Sequence, residues 1–347
     1  MENEVISTKC KNCGSELVFD PKTRCLKCKH CDSNYFLPSK NEDAVLVRQY
    51  SENFHPNQLC QFLKAYKCSA CGNVYYMSSD EKSKKCMNCG NSSSTLVEDD
   101  GYSADGIIPF KITKEEATKK FREYLRTHFN IPRDLKKLAA NGKLMGVFVP
   151  VWNFSFNVSA TYSANATELR KDSGGAYYSI SKPVFGDKIQ RVKSYDETAT
   201  STQDDVLLEL FDEDDYADII PFVPEYTYGY RVDSANKDIH EYYYDITKKA
   251  EQKMESKIKK EILSKYKEVS DIDVEAKAED VFFNFTYVPV YVNTFEYKGK
   301  YYKTYVSGTT GKVVGNPPTS FLKKVGTFFK FVALVGLVAL IAWLFMK

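Results

Sequence analysis

The sequence predicts a multidomain fold in which two small β modules precede a duplicated α+β domain with antiparallel sheets and a single C-terminal transmembrane helix. Three observations predict it: two cysteine tetrads of equal spacing, two short motifs that each occur twice, and an uncharged apolar run near the end. The chain has 347 residues, enough for two or three domains that each bury a core. Aromatic residues make up 14% of it, which suits half-buried β-strands better than disorder.

The cysteines predict two metal sites. All ten lie in the first 89 residues, and eight form two tetrads with the pattern C-x2-C-x14-C-x2-C. The tetrads are Cys10, Cys13, Cys28 and Cys31, and then Cys68, Cys71, Cys86 and Cys89. Two CxxC turns joined by a hairpin can close four thiolates around one structural zinc ion. The sequence therefore predicts two small β zinc ribbons, one in residues 1–40 and one, after a connector, in residues 41–97, with two structural zinc ions.

The expected redox state supports metal binding over disulfides. The first nine residues are polar and contain no apolar signal-peptide core, so we expect a chain that is not exported and keeps its thiols reduced. In a reducing compartment, CxxC pairs are more often metal ligands than disulfides.

Four other residues near the tetrads are weaker ligand candidates. Cys25 forms a second CxxC pair with Cys28, which gives the first site an alternative register, although only the pair that starts at Cys28 reproduces the fourteen-residue spacer. Cys60 is expected to be a small core residue. His30 and Asn88 lie inside CxxC turns and are expected to point outward.

Charge favours a protein partner over nucleic acid for the ribbons. The whole chain has 48 basic and 46 acidic residues, and residues 1–97 have thirteen Lys or Arg against ten Asp or Glu. Each zinc ion with four thiolates contributes −2, so the metallated region carries about −1. A domain that neutralises several phosphates is expected to be clearly basic. Lysines around the first tetrad keep the nucleic-acid alternative open.

The remainder of the chain divides into three regions. Residues 98–105 form an acidic, glycine-containing linker. Residues 106–318 form the duplicated α+β domain, with repeat 1 at about 106–203 and repeat 2 at about 204–318. Residues 319–347 form a juxtamembrane segment and a membrane anchor.

Two repeated motifs define the duplication. Ile-Ile-Pro-Phe occurs at 107–110 and at 219–222, and Val-Pro-Val occurs at 149–151 and at 288–290. A helical pattern lies between the two motifs of each repeat, and the first of these helices is predicted to begin with a capping box at Thr113. Aromatic, alternating strands follow each Val-Pro-Val. Each repeat is thus predicted to contain a lead-in strand, a helix and antiparallel hairpins.

The apolar end of the chain predicts membrane attachment. Phe331 to Met346 are sixteen residues without a charge. At ~1.5 Å per residue a helix there would span roughly 24 Å, and extension to about residues 327–346, with Lys330 snorkelling, approaches a ~30 Å hydrocarbon core. Lysines precede the run, so its flanking charge places the N-terminal bulk in the cytoplasm. We predict a tail-anchored, single-pass protein of the cell membrane.

No residue set in the sequence supports a reaction. The four histidines are His30, His55, His128 and His240. None lies in HExxH, and GxSxG, Walker A and GxGxxG patterns do not occur. The acidic run 212–215 lacks the glycine and the terminal glutamate of an EF-hand loop. We predict that the protein is not an enzyme and has no catalytic residues and no small-molecule substrate.

These motifs together resemble those of bacterial transcription-factor-IIB-type zinc-ribbon-containing proteins. The motifs that carry the resemblance are the two tetrads, GIIPFKITKEEA from Gly106, GVFVPVWNF from Gly146, YVPVYV from Tyr287, and KGKYYKTYVSGTTGKVVG from Lys298. The resemblance covers nearly the whole chain, with Cys25 and Cys60 as departures, and a single apolar run where some relatives have more. It implies a membrane-attached scaffold or adaptor, with partners among phage-shock-type and flotillin-like (SPFH) membrane-stress proteins.

The functional prediction is therefore a cytoplasm-facing adaptor that recruits protein partners to the membrane. The alternative is a membrane-tethered nucleic-acid-binding or transcription-related regulator that acts through its ribbons.

Overall fold

In the computed structural model, the described residues are 8–37, 45–54, 63–77, 86–98, 101–128, 131–141, 144–266 and 268–317. The strands are β1 (Leu17–Asp20), β2 (Cys25–Cys28), β3 (Asn34–Phe36), β4 (Arg48–Gln49), β5 (Lys64–Cys68), β6 (Val74–Met77), β7 (Ser94–Val97), β8 (Gly106–Ile107), β9 (Met145–Lys171), β10 (Tyr177–Thr198), β11 (Ile220–Pro221), β12 (Arg231–Asp233), β13 (Glu268–Tyr297), β14 (Lys300–Ser307) and β15 (Val313–Gly315). The helices are α1 (Lys114–Thr127), α2 (Arg133–Asn141), α3 (Glu213–Tyr216) and α4 (Ile239–Lys265). Two short 3-10 turns lie at Asp205–Leu210 and Pro224–Thr227.

The predicted fold class is wrong. Strands β9, β10 and β13 contain 27, 22 and 30 residues. The described part of the chain after residue 105, which we call the body, is therefore mostly sheet with few helices. A single twelve-stranded sheet has the central order β11-β8-β13-β9-β12-β6-β5-β7, and it joins both predicted repeats to the second ribbon. The prediction failed because the alternation of apolar and polar residues indicates a strand but gives neither its length nor its partner strand.

The predicted transmembrane helix has no counterpart among the described residues. None of their helices combines the length and the apolar character that crossing a bilayer requires. The predicted span at about residues 327–346 lies outside the described ranges.

The repeated motifs pair with one another. The two Val-Pro-Val segments meet in the antiparallel pair of β9 and β13, where Val149 lies opposite Val288. The two Ile-Ile-Pro-Phe segments meet in the antiparallel pair of β8 and β11, where Ile107 lies opposite Ile220. The Val-Pro-Val pair lies within the central part of the sheet order, whereas the Ile-Ile-Pro-Phe pair lies at one end of it.

Both faces of this central pair are covered. Side chains alternate across a strand, so the valines of the two motifs lie on one face and the aromatic residues between them on the other. The valine face packs with Leu207, Leu210 and Tyr305. The aromatic face, which includes Phe148, packs with residues of α1, α2 and α4. Because both faces are buried, the centre reads as a continuous apolar run.

The chain also forms the predicted first helix as expected. The Thr113 hydroxyl accepts the Glu116 N–H and the Glu116 carboxylate accepts the Thr113 N–H, so the capping box at the start of α1 is confirmed. Ala117, Phe121 and Leu125 form its buried face.

Beyond the centre, three long strands extend together as a three-stranded antiparallel sheet. β9 lies between β10 and the first half of β13, and α4 packs on β9 and β13. Bulges interrupt β13 at two aspartates with positive φ, Asp271 (50°) and Asp280 (51°). Asn165 donates to the first carboxylate at 3.0 Å and Asn157 to the second at 3.5 Å. These bonds hold the extra residue of each bulge and let the strand continue.

A glycine at the contact between the first ribbon and the body provides a test of this packing. Gly229 has φ +87°, and a Cβ there would lie 2.6 Å from Val18 Cγ1. Gly229→Ala should lower the free energy of unfolding by about 1–3 kcal/mol, because it strains the backbone and pushes the ribbon away. Chemical denaturation of the purified protein measures this. Gly174→Ala, in the exposed turn between β9 and β10, is the matched control and should change stability by less than ~0.5 kcal/mol. Equal stability of the two variants would contradict the packing described.

Candidate metal centres

The first tetrad converges beside the small sheet of β1, β2 and β3. The Sγ atoms of Cys10 and Cys31 are 3.6 Å apart, and those of Cys13 and Cys28 are 3.4 Å apart. All four ligand atoms lie within 4.8 Å of one another. Cys10 and Cys28 are buried, whereas Cys13 and Cys31 are exposed.

The second tetrad has the same arrangement at one end of β5 and β6. The Sγ atoms of Cys68 and Cys89 are 3.7 Å apart, and those of Cys71 and Cys86 are 3.6 Å apart. Cys68 and Cys86 are buried and Cys71 is exposed. The equal spacing of the two tetrads thus produces nearly the same alternation in both, with Cys89 half-buried where Cys31 is exposed.

These distances fit a tetrahedral metal ion. Zn–S bonds of ~2.3 Å place the four sulfurs of a tetrahedron about 3.8 Å apart. The observed separations of 3.4–3.7 Å are close to that value and far above the ~2.05 Å of a disulfide. The two groups of four cysteines could therefore each hold a metal ion, and zinc suits both.

The residue directly after the last cysteine of each CxxC turn is a glycine or an aspartate, which predicts a left-handed position there, and the structure has that geometry in all four turns. Gly14, Gly72 and Gly90 have φ of 70°, 74° and 73°, and Asp32 occupies the equivalent left-handed position at 55°. Each of these glycines donates its N–H to the carbonyl of the first cysteine in its turn at 2.9 Å. This geometry also directs backbone N–H groups toward sulfur: the N–H of His30, for example, lies 3.4 Å from Cys28 Sγ. Such donors stabilise thiolates.

The surroundings of the thiols shift their acidity in opposite directions. The Tyr35 hydroxyl, 3.2 Å from Cys10 Sγ, is the main cause that lowers the pKa of Cys10 to about 6. Burial is the main cause that raises the pKa of Cys86 above its usual value. A metal ion must displace the proton of each ligand, so binding at the second site is expected to release protons and to weaken in acid.

Apart from His30, which is exposed within a CxxC turn of the first tetrad, the remaining cysteines and histidines lie apart from these centres or outside the described residues. Cys25 is buried in β2 with its Sγ 3.0 Å from Thr23 Oγ1, and it belongs to neither tetrad, which resolves the register at the first site in favour of Cys28 with Cys31. His128 caps the end of α1, and His240 lies 2.8 Å from the Tyr50 hydroxyl at the start of α4. Cys60 and His55 fall outside the described residues.

Asn88 has a role that the sequence did not predict. Its Nδ2 lies 3.7 Å from Cys71 Sγ, and its Oδ1 accepts a hydrogen bond from Lys303 Nζ at 2.7 Å. The neighbouring Met87 carbonyl accepts one from the Thr294 hydroxyl at 2.9 Å. The side chain expected to point outward therefore connects the second metal site to β14, while Met87 connects it to β13. No local signal predicts these contacts, because their partners lie more than 200 residues away.

Both ribbons pack on the body. The Phe19 N–H donates to the Tyr228 carbonyl at 2.9 Å, and the Phe19 and Tyr226 rings are 5.0 Å apart. Lys22 forms an ion pair at 3.1 Å with Glu116 of the α1 capping box. In the second ribbon, β6 pairs antiparallel with β12 and so extends the central sheet.

A polar cavity of about 870 Å³ lies between the second ribbon and β14. Cys71, Asn88, Asp204, Tyr301 and Lys303 are among the residues that line it. Burial lowers the pKa of Lys303, and its ammonium also donates to the Thr202 carbonyl. This cation lies where it can offset the negative charge of a metal bound by four thiolates.

Comparisons with known proteins give one relative and no activity. No protein-family model matches the chain, and no solved structure matches it. The chain is 26% identical over 338 residues to the uncharacterized protein YdjG of Bacillus subtilis (strain 168). The alignment covers 95% of this chain and 94% of that protein. The predicted membership of the zinc-ribbon membrane family therefore stays a prediction.

Metal stoichiometry tests the assignment of the ligands. Wild-type protein purified without added chelator should contain two zinc ions per chain, by elemental analysis. Cys13→Ser should contain one, because three thiolates and a hydroxyl bind zinc far more weakly. Cys25→Ser is the matched control, since it removes a cysteine of the same ribbon and should leave two ions. Two ions in Cys13→Ser, or one in Cys25→Ser, would contradict the ligand set, and iron in place of zinc would contradict the metal.

Metal removal should loosen part of the central sheet. A strong chelator is expected to raise amide hydrogen exchange in Val74–Met77 and in Arg231–Asp233, because β6 is held by the second site and pairs with β12. Exchange in 154–158, where β9 pairs with β10 and β13, should change little and serves as the internal control. Unchanged exchange in β12 after complete metal removal would show that the second site does not support the sheet.

Proposed function

We propose that this chain is a zinc-ribbon adaptor or scaffold that works at the cytoplasmic face of the cell membrane and recruits protein partners there. The observation that carries the proposal is that four protein thiols converge at each metal site. A zinc ion with four protein ligands has no open position for a substrate or an attacking water, and such ions serve to stabilise a fold. The metals would then support a binding surface and take no part in a reaction.

Exposed apolar residues on the ribbons support a protein partner. Phe36 at the end of β3 is 84% exposed and Leu96 in β7 is 64% exposed. Large apolar side chains on a rigid, metal-supported strand are suited to insert into a partner's pocket at low entropic cost. The near-neutral charge of the metallated residues 1–97 likewise suits a protein surface better than a polyphosphate.

The membrane part of the proposal rests on sequence. The uncharged run from Phe331 to Met346 lies outside the described residues, and its composition is that of a membrane-associated segment. The resemblance to zinc-ribbon-containing membrane proteins suggests phage-shock-type or flotillin-like proteins as partners.

Relocation of the partners tests the adaptor function. Proteins that co-purify with the full chain from detergent-solubilised membranes are first identified by mass spectrometry. Deletion of 331–347 should then move both the chain and these proteins from the membrane to the soluble fraction of cells. Fusion of an unrelated membrane anchor to the deleted chain is the control, and it should return both to the membrane.

Partners that keep their location after the deletion would contradict the adaptor function. Salt-sensitive binding of DNA or RNA by the full chain at micromolar affinity or tighter would instead favour the nucleic-acid regulator.

A further inference from the structure

A groove lies between α4 and strand β10. Helix α4 covers the inner face of β9, where Phe156, Val158 and Ala160 are buried. Of the β10 residues paired with them, Val192 and Lys188 are only half-buried and Gln190 is exposed. A helix of ~10 Å diameter covers about two strands spaced ~4.8 Å apart, so the third strand is left partly uncovered.

Basic side chains line this groove. Its first part is a cavity of about 480 Å³ whose lining includes Arg191, Lys193, Lys249 and Lys253 and contains no carboxylate. The second part, about 510 Å³, continues along α4 past Lys253 and is lined by Ser256, Lys257, Lys260, Glu261 and Ser264. We call the residues that line these two cavities the basic groove.

Cations outnumber carboxylates in the basic groove. Its described lining has six cations and one carboxylate, Glu261, which pairs with Lys188 from outside the lining, and Glu197, also outside the lining, interacts with Lys249. The ion pair with Lys188 is the main cause that lowers the pKa of Glu261. Lys257 reaches across to β10 but donates to a neutral amide, Gln190 Oε1, at 3.0 Å. The whole chain carries a net charge of only +2, so this concentration of positive charge is local.

The lysines of α4 form a row. Positions 249, 253, 257 and 260 fall on one face of the helix, and they extend over ~16 Å at ~1.5 Å per residue. Like charges four residues apart destabilise a helix. Lys257 bonds Gln190 of β10 and interacts with Glu261, and the row as a whole presents a line of positive charge that is suited to bind an elongated anion.

We propose that the basic groove binds an acidic, amphipathic segment of a partner protein, an inference that rests on the proposed adaptor function. Carboxylates of the segment would pair with the lysine row and with Arg191. Its apolar residues would cover the floor of the first cavity, where Val192, Tyr195 and Ala250 are half-buried. Charge would guide the encounter and the apolar floor would add affinity.

The shape of the groove favours a protein segment over the other polyanions. A bilayer surface is flat, so it would reach the rim lysines and leave the concave floor empty. Phosphodiester backbones are polar along their whole length and would leave the apolar floor uncovered. An amphipathic segment satisfies both the charged walls and the apolar floor.

Binding of a designed peptide tests the proposal. The probe is a fluorescent peptide of about 14 residues with glutamate and leucine at helical spacing, compared with the same peptide carrying glutamine for glutamate. The full chain in detergent should bind the acidic peptide, and fluorescence anisotropy should show the affinity falling as salt rises. The glutamine peptide should bind about tenfold more weakly or not at all.

Charge variants locate the site. Lys253→Glu with Lys257→Glu should weaken binding of the acidic peptide about tenfold or more, whereas Lys253→Arg with Lys257→Arg should retain it. Lys119→Glu with Arg122→Glu, on the exposed face of α1, makes the same change in net charge and should alter affinity less than about twofold. Zinc content and circular dichroism establish that each variant is folded.

Three results would overturn the proposal. The α1 variant could lose as much affinity for the acidic peptide as the Lys253→Glu, Lys257→Glu variant, or the latter could retain its affinity. Single-stranded DNA or phosphatidylglycerol vesicles could also bind more tightly than the peptide, with affinity that the α4 charge reversal removes. None of them depends on partner relocation in cells. Failure here would leave the adaptor function standing, and failure of the adaptor function would leave peptide binding measurable.

Discussion

The antiparallel pairing of β9 with β13 is the interaction on which the remainder of the structure depends. Its register places Val149 opposite Val288, and from that point the pair runs in both directions for most of the two strands. Because side chains alternate, this single register assigns the valines to one core and the aromatic residues to the other. A slip of one residue would exchange the two faces and bury neither set correctly.

The second metal site is connected to this sheet through paired strands and side-chain hydrogen bonds. β12 pairs parallel with β9 at Val147 and Phe148, and β6 of the second ribbon pairs with β12. The hydrogen bonds of Lys303 and Thr294 to the second CxxC turn of the second tetrad add two further connections. The second ribbon thus adds its strands to an existing sheet, while the first packs its own three strands against the surface.

Features that depend on residues close together in the chain could be predicted from the sequence, and features that depend on distant residues could not. The tetrads, the left-handed glycines and the capping box at Thr113 depend on residues at most a few tens of positions apart, and pattern and spacing identified them. The twelve-stranded sheet depends on pairs between residues far apart in the chain, such as Tyr75 with Asp233, and no pattern within either segment specifies its partner. Asn88 was misjudged for the same reason. The groove beside α4 also escaped prediction, because Arg191 and Lys249 come together only through the packing of α4 on the sheet.

The pairing of β6 with β12 determines how the molecule can be divided. A fragment that ends at residue 97 would contain both tetrads and would still lose the strand that borders the second ribbon. It would also separate β4 from its partner residues Phe282 and Phe283 in β13. The side of β6 that pairs with β12, at Tyr75, Tyr76 and Met77, would then be a new sheet edge, and such edges favour aggregation. Gene truncation or domain exchange at this boundary would therefore remove part of the folding unit, so the ribbon and the sheet are expected to be inherited together.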